Sequence, residues 1–136
     1  MKKNIKNVKY KKLHLIVYKK KTDKFLLPKF KIFGFRIVES GFLSTNAVEA
    51  ARRILIRHVR GFGSVFVCLK PSLWLTKKPS DVRMGKGKGS PYKQIIPVQS
   101  GKFLFEWDGL SEEQAKDLFV KSSRKIPLRA KFIVKH

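Results

Sequence analysis

Acid is what this sequence has least of. Asp and Glu number 9 against 32 Lys and Arg, a formal net charge of +23 on 136 residues. Charge this dense repels itself in a compact isolated chain, so the natural partner is a polyanion that neutralises it. RNA, DNA and an anionic membrane all qualify. Long apolar runs are missing as well: "HLIVY", residues 14 to 18, is the longest near the basic start, against the roughly eighteen residues a bilayer span needs. No membrane span is expected. Cysteine occurs once, at Cys68, which excludes an intrachain disulfide. Its place inside "SVFVCL" reads as that of a small hydrophobe. His14, His58 and His136 lie too far apart to form the close pairs of a metal motif, and neither metal nor cofactor is expected.

Apolar residues make up 43% of the chain and include eleven phenylalanines. At this length roughly two thirds of the unfolded surface can be buried, enough for one real core. Residues 1 to 31 read differently: twelve lysines, one acid (Asp23), and no arginine, serine or alanine. A transit peptide favours arginine and serine, so the stretch is read as a retained basic arm. Tyr10, Leu13, Leu15, Ile16, Val17 and Tyr18 interleave its lysines, unlike a purely solvated charge run. Residues 32 to 136 then form a single domain.

Within that domain "IFGFRIVESGFL" reads as extended chain with a break at Gly41. A helix follows in "STNAVEAARRILIRHVRG", with Ser44 as N-cap, Glu49 in its early turns, arginines toward its end and Gly61 as stop. At about 100° per residue, Val48, Ala51, Leu55, His58 and Val59 share one side, and Glu49, Arg53, Arg57 and Arg60 the other. His58 is therefore expected as a packed, hydrogen-bonded histidine. Only Glu49 can pair with the arginines along the helix, which favours an external anion there.

"SVFVCLK" and "LWLTK" read as short strands. "KQIIPV" and "KFLFEWDG" form a plausible hairpin across Gln99, Ser100 and Gly101, with Pro97 at an edge or bulge. Ser111 and Gln114 make a capping box for a second helix whose inward face is Ala115, Leu118, Phe119 and Ser122, and Pro127 forbids continuation past Ile126. "RAKFIVK" closes the chain as a strand. The class is α+β, with both helices expected against one largely antiparallel sheet.

Chemistry concentrates in "RMGKGKGSPY", residues 83 to 92. A P-loop needs G-x-x-x-x-G-K-[ST], and a dinucleotide fingerprint needs a helix directly after it. "GKGKGS" lacks the first register, and the strand-like "KQIIPV" takes the place of the helix. What remains is a backbone that can approach another molecule closely through Gly85, Gly87 and Gly89, with charge from Arg83, Lys86 and Lys88. Glu106 and Asp108 could share a strand face as paired carboxylates. Nothing else of a catalytic constellation accompanies them, and an acidic strand end entering the turn at Gly109 is the simpler reading.

The ordered blocks "EAARR", "VRMGKGKGSP", "LFEWDGLSEEQAKDLF" and "KIPLRAKFIVK" resemble the universal uL-16 family of large-subunit ribosomal proteins, in its bacterial or organellar form, over roughly residues 34 to 135. That resemblance implies an α/β-hammerhead-type α+β fold and no enzymatic activity. It also implies a seat on large-subunit rRNA below the central protuberance, beside the aminoacyl-tRNA site. By matched position the loop Arg83, Met84, Gly85, Lys86, Gly87, Lys88 and Gly89 would reach toward tRNA. Arg52 and Arg53, from "EAARR", would lie on the RNA-facing helix. The further basic residues expected at rRNA are Lys9, Lys11, Lys12, Arg57, Arg60, Lys77, Lys78, Arg124, Lys125, Arg129 and Lys131. Two stretches depart from the family pattern: "VESGFLS" before the first helix, where basic or small residues are usual, and "SPYKQ" where the family has "SPEYW".

Expected partners are large-subunit rRNA, tRNA in the aminoacyl site and neighbouring ribosomal proteins, without homo-oligomerisation. The 24 lysines against 8 arginines suit an AT-rich coding sequence. With the drift from the bacterial pattern, this favours an organelle-encoded protein of the mitochondrial ribosome, with a bacterial cytoplasm or another organelle as the alternative. Two rival functions are a general single-strand RNA binder stacking bases on Trp74, Tyr92 or Trp107, and a nucleotide-dependent enzyme using the glycine loop.

Overall fold

The computed structural model describes Lys12, His14 and residues 27–135. The elements run β1 (Phe33–Ile37), β2 (Gly41–Ser44), α1 (Thr45–Val59), β3 (Val65–Val67), β4 (Leu73–Lys77), β5 (Ser90–Val98), β6 (Phe103–Trp107), α2 (Glu112–Ser123) and β7 (Ala130–Val134). This is the α+β class that the sequence predicts.

The strands divide between two sheets, not one. The larger has the order β3-β6-β1-β7 and the smaller β2-β5-β4, with antiparallel pairing throughout. The break between β1 and β2 falls at residues 38 to 40, and Gly41 opens β2 instead of interrupting a strand. The expected hairpin between β5 and β6 does not form. At that turn the Gly101 N–H donates to Ile37 O at 2.7 Å and the Ile37 N–H to Lys102 O at 2.9 Å. These two bonds deliver the chain to β1 and hence to the other sheet. The hairpin lies one strand earlier: β4 pairs with β5 from Leu73↔Ile95 out to Lys77↔Ser90, so residues 78–89 form its connecting loop. Pro97 sits beyond the last β4 partner, opposite Phe42 of β2 alone, where a missing N–H breaks no second ladder.

Helix α1 joins the two sheets. Ser44 caps it, its Oγ accepting the Ala47 N–H at 3.2 Å. The buried stripe Val48, Ala51, Leu55 and Val59 packs toward β3 of one sheet and β2 and β5 of the other. His58 is not part of that stripe. It is exposed, its Nδ1 2.9 Å from Ile54 O, because its side faces α2 and not the sheets. Helix α2 starts with the complete Ser111/Gln114 capping box and buries Ala115, Leu118 and Ser122 against α1 and β7. Phe119 is half-buried, its ring 4.9 Å from that of Phe35. All five residues of β6 are buried, which is why "FLFEW" shows no apolar-polar alternation and is apolar at every position but Glu106.

Candidate nucleic-acid interface

The glycine loop is the tip of the β4–β5 hairpin, and every residue from Pro79 to Lys88 is exposed. Three consecutive residues take the left-handed conformation: Gly85 (φ 97), Lys86 (φ 54) and Gly87 (φ 83). L side chains adopt it at a cost of about 1 kcal/mol or more, which explains glycine at two of the three positions. Gly89 is required for another reason. A Cβ there would lie 2.6 Å from the carbonyl carbon of Lys77, so the return of the loop onto β4 admits no side chain. Lys78 Nζ donates to Gly85 O and Lys12 Nζ to Lys88 O at 3.1 Å. The loop is thus braced through its own carbonyls, and the cations Arg83 and Lys86 have no ion-pair partner among the described residues.

The second basic surface is the outer face of α1, where Arg52, Arg53, Ile56, Arg57 and Arg60 line an open depression of about 390 Å³. Glu49 neutralises part of it, accepting from Arg52 at 2.7 and 2.8 Å and from Arg53 at 3.2 Å. Arg57 and Arg60 have no such partner among the described residues. Elsewhere Arg129 pairs with Glu39 at 3.1 Å and Lys77 lies over the Tyr92 ring, 5.6 Å from its centroid. Arg124, Lys125 and Lys131 are exposed at the end of α2 and on β7. Lys9 and Lys11 lie outside the described residues.

Of the three aromatics proposed to stack on bases, Trp107 is fully buried in the core, Trp74 is half-buried and Tyr92 is exposed. Trp107 cannot meet a base without unfolding β6.

The two carboxylates at the end of β6 are structural. Glu106 is buried, and its Oε2 accepts the backbone N–H groups of Phe30 at 2.6 Å and Lys31 at 3.1 Å. Asp108 accepts from Lys31 Nζ and from the Ser64 N–H, both at 2.7 Å. Together they seat residues 30 and 31 on the larger sheet, a role that sequence reasoning missed. The signal was a charge inside an otherwise apolar strand, which is tolerated only where donors converge on it.

Cys68 lies beside Glu106, Sγ to Oε1 3.5 Å. Burial first, then the Glu106 charge, push its thiol up to about 12. The thiolate is the reactive form, so a thiol-disulfide reagent at neutral pH is expected to label Cys68 only in denaturant. Rapid labelling of the native protein would contradict the placement.

Two carboxylates are held low. The hydrogen bond from Arg52 leads in depressing Glu49 from 4.5 to about 2. At Asp108 burial pushes the carboxyl up, but the bonds from Lys31 and Ser64 outweigh it and leave the group below its ordinary range. A folded-state value below the unfolded one adds stability that is complete above about 4.5 and disappears as pH falls toward about 2. Thermal unfolding followed from neutral pH to pH 2 should therefore show a shallower acid loss for Glu49→Gln than for the parent chain, and equal slopes would contradict the pairing.

The described residues thus present two basic surfaces, the braced hairpin tip and the arginine face of α1. A family model described as ribosomal protein L16p/L10e matches residues 5–133. The chain belongs to the L16p/L10e family. As a member it is a structural, non-enzymatic constituent of the large ribosomal subunit, and its work is translation. For an L16p/L10e protein, the division of arginines into those paired internally and those left open has an immediate meaning: only the open ones offer uncompensated charge to another molecule. Among the described residues no helix is long and apolar enough to cross a membrane.

Proposed function

We propose that this chain is the bacterial- or organellar-type member of its family. In this reading it binds large-subunit rRNA through the α1 arginine face and the basic arm, residues 1 to 31, and the loop from Arg83 to Gly89 helps shape the aminoacyl-tRNA site. The observation that carries the reading is the hairpin tip. Three left-handed residues and two cations without ion-pair partners are held out from the sheet by lysine-to-carbonyl bonds, at a place where no fold requirement explains their charge. Such a tip can enter a crevice lined with phosphates, because glycine removes bulk and lysine and arginine supply charge-assisted donors. The excess of lysine over arginine, 24 to 8, supports the mitochondrial ribosome as its location.

Replacing Arg83, Lys86 and Lys88 together with alanine tests the loop. Stability should change by less than about 0.5 kcal/mol, since these side chains are exposed. tRNA affinity for the aminoacyl site of the assembled subunit should fall about tenfold or more, the scale of one to two lost charge-assisted bonds. Unchanged growth and unchanged tRNA binding would overturn the role. Sedimentation of the tagged protein with large subunits from isolated mitochondria tests the location, and its absence from them overturns that part.

A further inference from the structure

Beside the arginine face, the end of α1 and one side of α2 border a separate cavity of about 310 Å³, lined among others by His58, Phe62, Gln114, Asp117, Leu118 and Lys121. We propose that this cavity receives an extruded RNA base that carries an amino group, stacked on Phe62 and hydrogen-bonded by Asp117. The proposal rests on the rRNA-binding reading and adds to it a site where base identity is sensed.

Phe62 is the first reason. Its ring is three-quarters exposed, an expensive position for a large apolar side chain, yet its backbone is held rigidly. The Phe62 and Gly63 N–H groups both donate to Val59 O, at 3.0 and 3.1 Å. Glycines on both sides of the contact let the chain press backbone to backbone: a Cβ on Gly63 would lie 2.4 Å from Asp108 O, and one on Gly109 2.2 Å from Phe62 O. The turn therefore fixes the Phe62 backbone at the mouth of a cavity, where its ring stands exposed. Stacking on such a face suits any base.

The polar lining is the second reason. Asp117 and Lys121 stand one helical turn apart, yet no ion pair joins them or ties either to another described residue. The His58 ring bonds through Nδ1 to Ile54 O. A carbonyl can only accept, so Nδ1 carries the hydrogen and donates it there. A carboxylate only accepts too. The cavity thus offers the two carboxylate oxygens of Asp117 as acceptors, matched best by the exocyclic amino group of adenine, cytosine or guanine, which presents two hydrogens where uracil presents only its N3–H. Lys121 at the same cavity and the charge of the whole chain favour an anionic backbone at the rim, which selects RNA over an apolar side chain of a neighbouring protein.

The test uses the full chain and labelled single-stranded RNA oligomers that differ only in a central A, C, G or U, titrated from about 50 to about 200 mM salt. For Phe62→Ala, affinity for the A, C and G probes should fall about tenfold at every salt concentration, with the salt slope unchanged. For Asp117→Asn, the preference of the parent chain for those probes over the U probe should shrink toward unity, with the larger loss on the A, C and G probes. Wild-type-like binding by Phe62→Ala, beside a normal parent slope, overturns the cavity and leaves the rRNA reading standing. Equal parent affinity for all four probes overturns the base preference. A parent slope near zero overturns the rRNA reading and this site with it.

Discussion

Affinity for large-subunit rRNA is expected to fall about ten-thousandfold when salt rises from about 50 to about 200 mM. About eight phosphate contacts at 0.9 each give a log-log slope near seven. The structure also says which residues should carry it. Arg57 and Arg60 are exposed and without ion-pair partners among the described residues, so replacing both with alanine should lower the slope by about two. Arg52 is half-buried and already forked onto Glu49 at 2.7 and 2.8 Å. Its charge is largely spent inside the molecule, and Arg52→Ala should lower the slope by less than one while weakening the acid-resistant pair on α1. Filter binding to the cognate rRNA over the salt series measures both effects. A parent slope near one, or an Arg52→Ala effect as large as that of Arg57→Ala, would contradict the division into open and paired arginines.

Gly109→Ala should be the most damaging single-methyl change in the chain. The backbone there is left-handed, φ 82, and the added Cβ would sit 2.2 Å from Phe62 O. Conformational strain contributes about 1 to 2 kcal/mol and backbone displacement about 1 to 3 kcal/mol more, for a total of about 2 to 5 kcal/mol. Gly85→Ala provides the comparison. Its φ of 97 is as strained, but nothing lies within 4 Å of the new Cβ, so only the conformational part, about 1 to 2 kcal/mol, should be lost. Urea unfolding of the two variants separates strain from collision. Equal losses would mean that the 108–109 turn does not press on Phe62 as described.

The helices were legible because their signals are local. Ser44 and the Ser111/Gln114 box act within three residues of themselves, and both caps form as read. His58 shows the limit of the same reasoning: helical periodicity placed it near the apolar stripe, but whether that side meets a sheet, a helix or solvent depends on what α1 packs against. The sheets were harder. "KQIIPV" and "KFLFEWDG" have every local mark of a hairpin, and the chain between them makes a real turn. It enters the other sheet because Gly101 and Ile37 bond across 64 positions of sequence, a preference that no window of neighbouring residues contains.

Charge, caps, the glycine-lysine loop between two strands and the family blocks were all determined by the sequence itself, since each depends on residue type and short spacing. Tertiary structure alone decided which strands share a sheet, that Glu106 seats residues 30 and 31, and which arginines Glu49 leaves open. It also decided that Gly63 and Gly109 meet backbone to backbone beside Phe62. Each of these depends on the approach of segments remote in sequence, where a contact of a few ångströms sets the energy and residue order carries no trace of it.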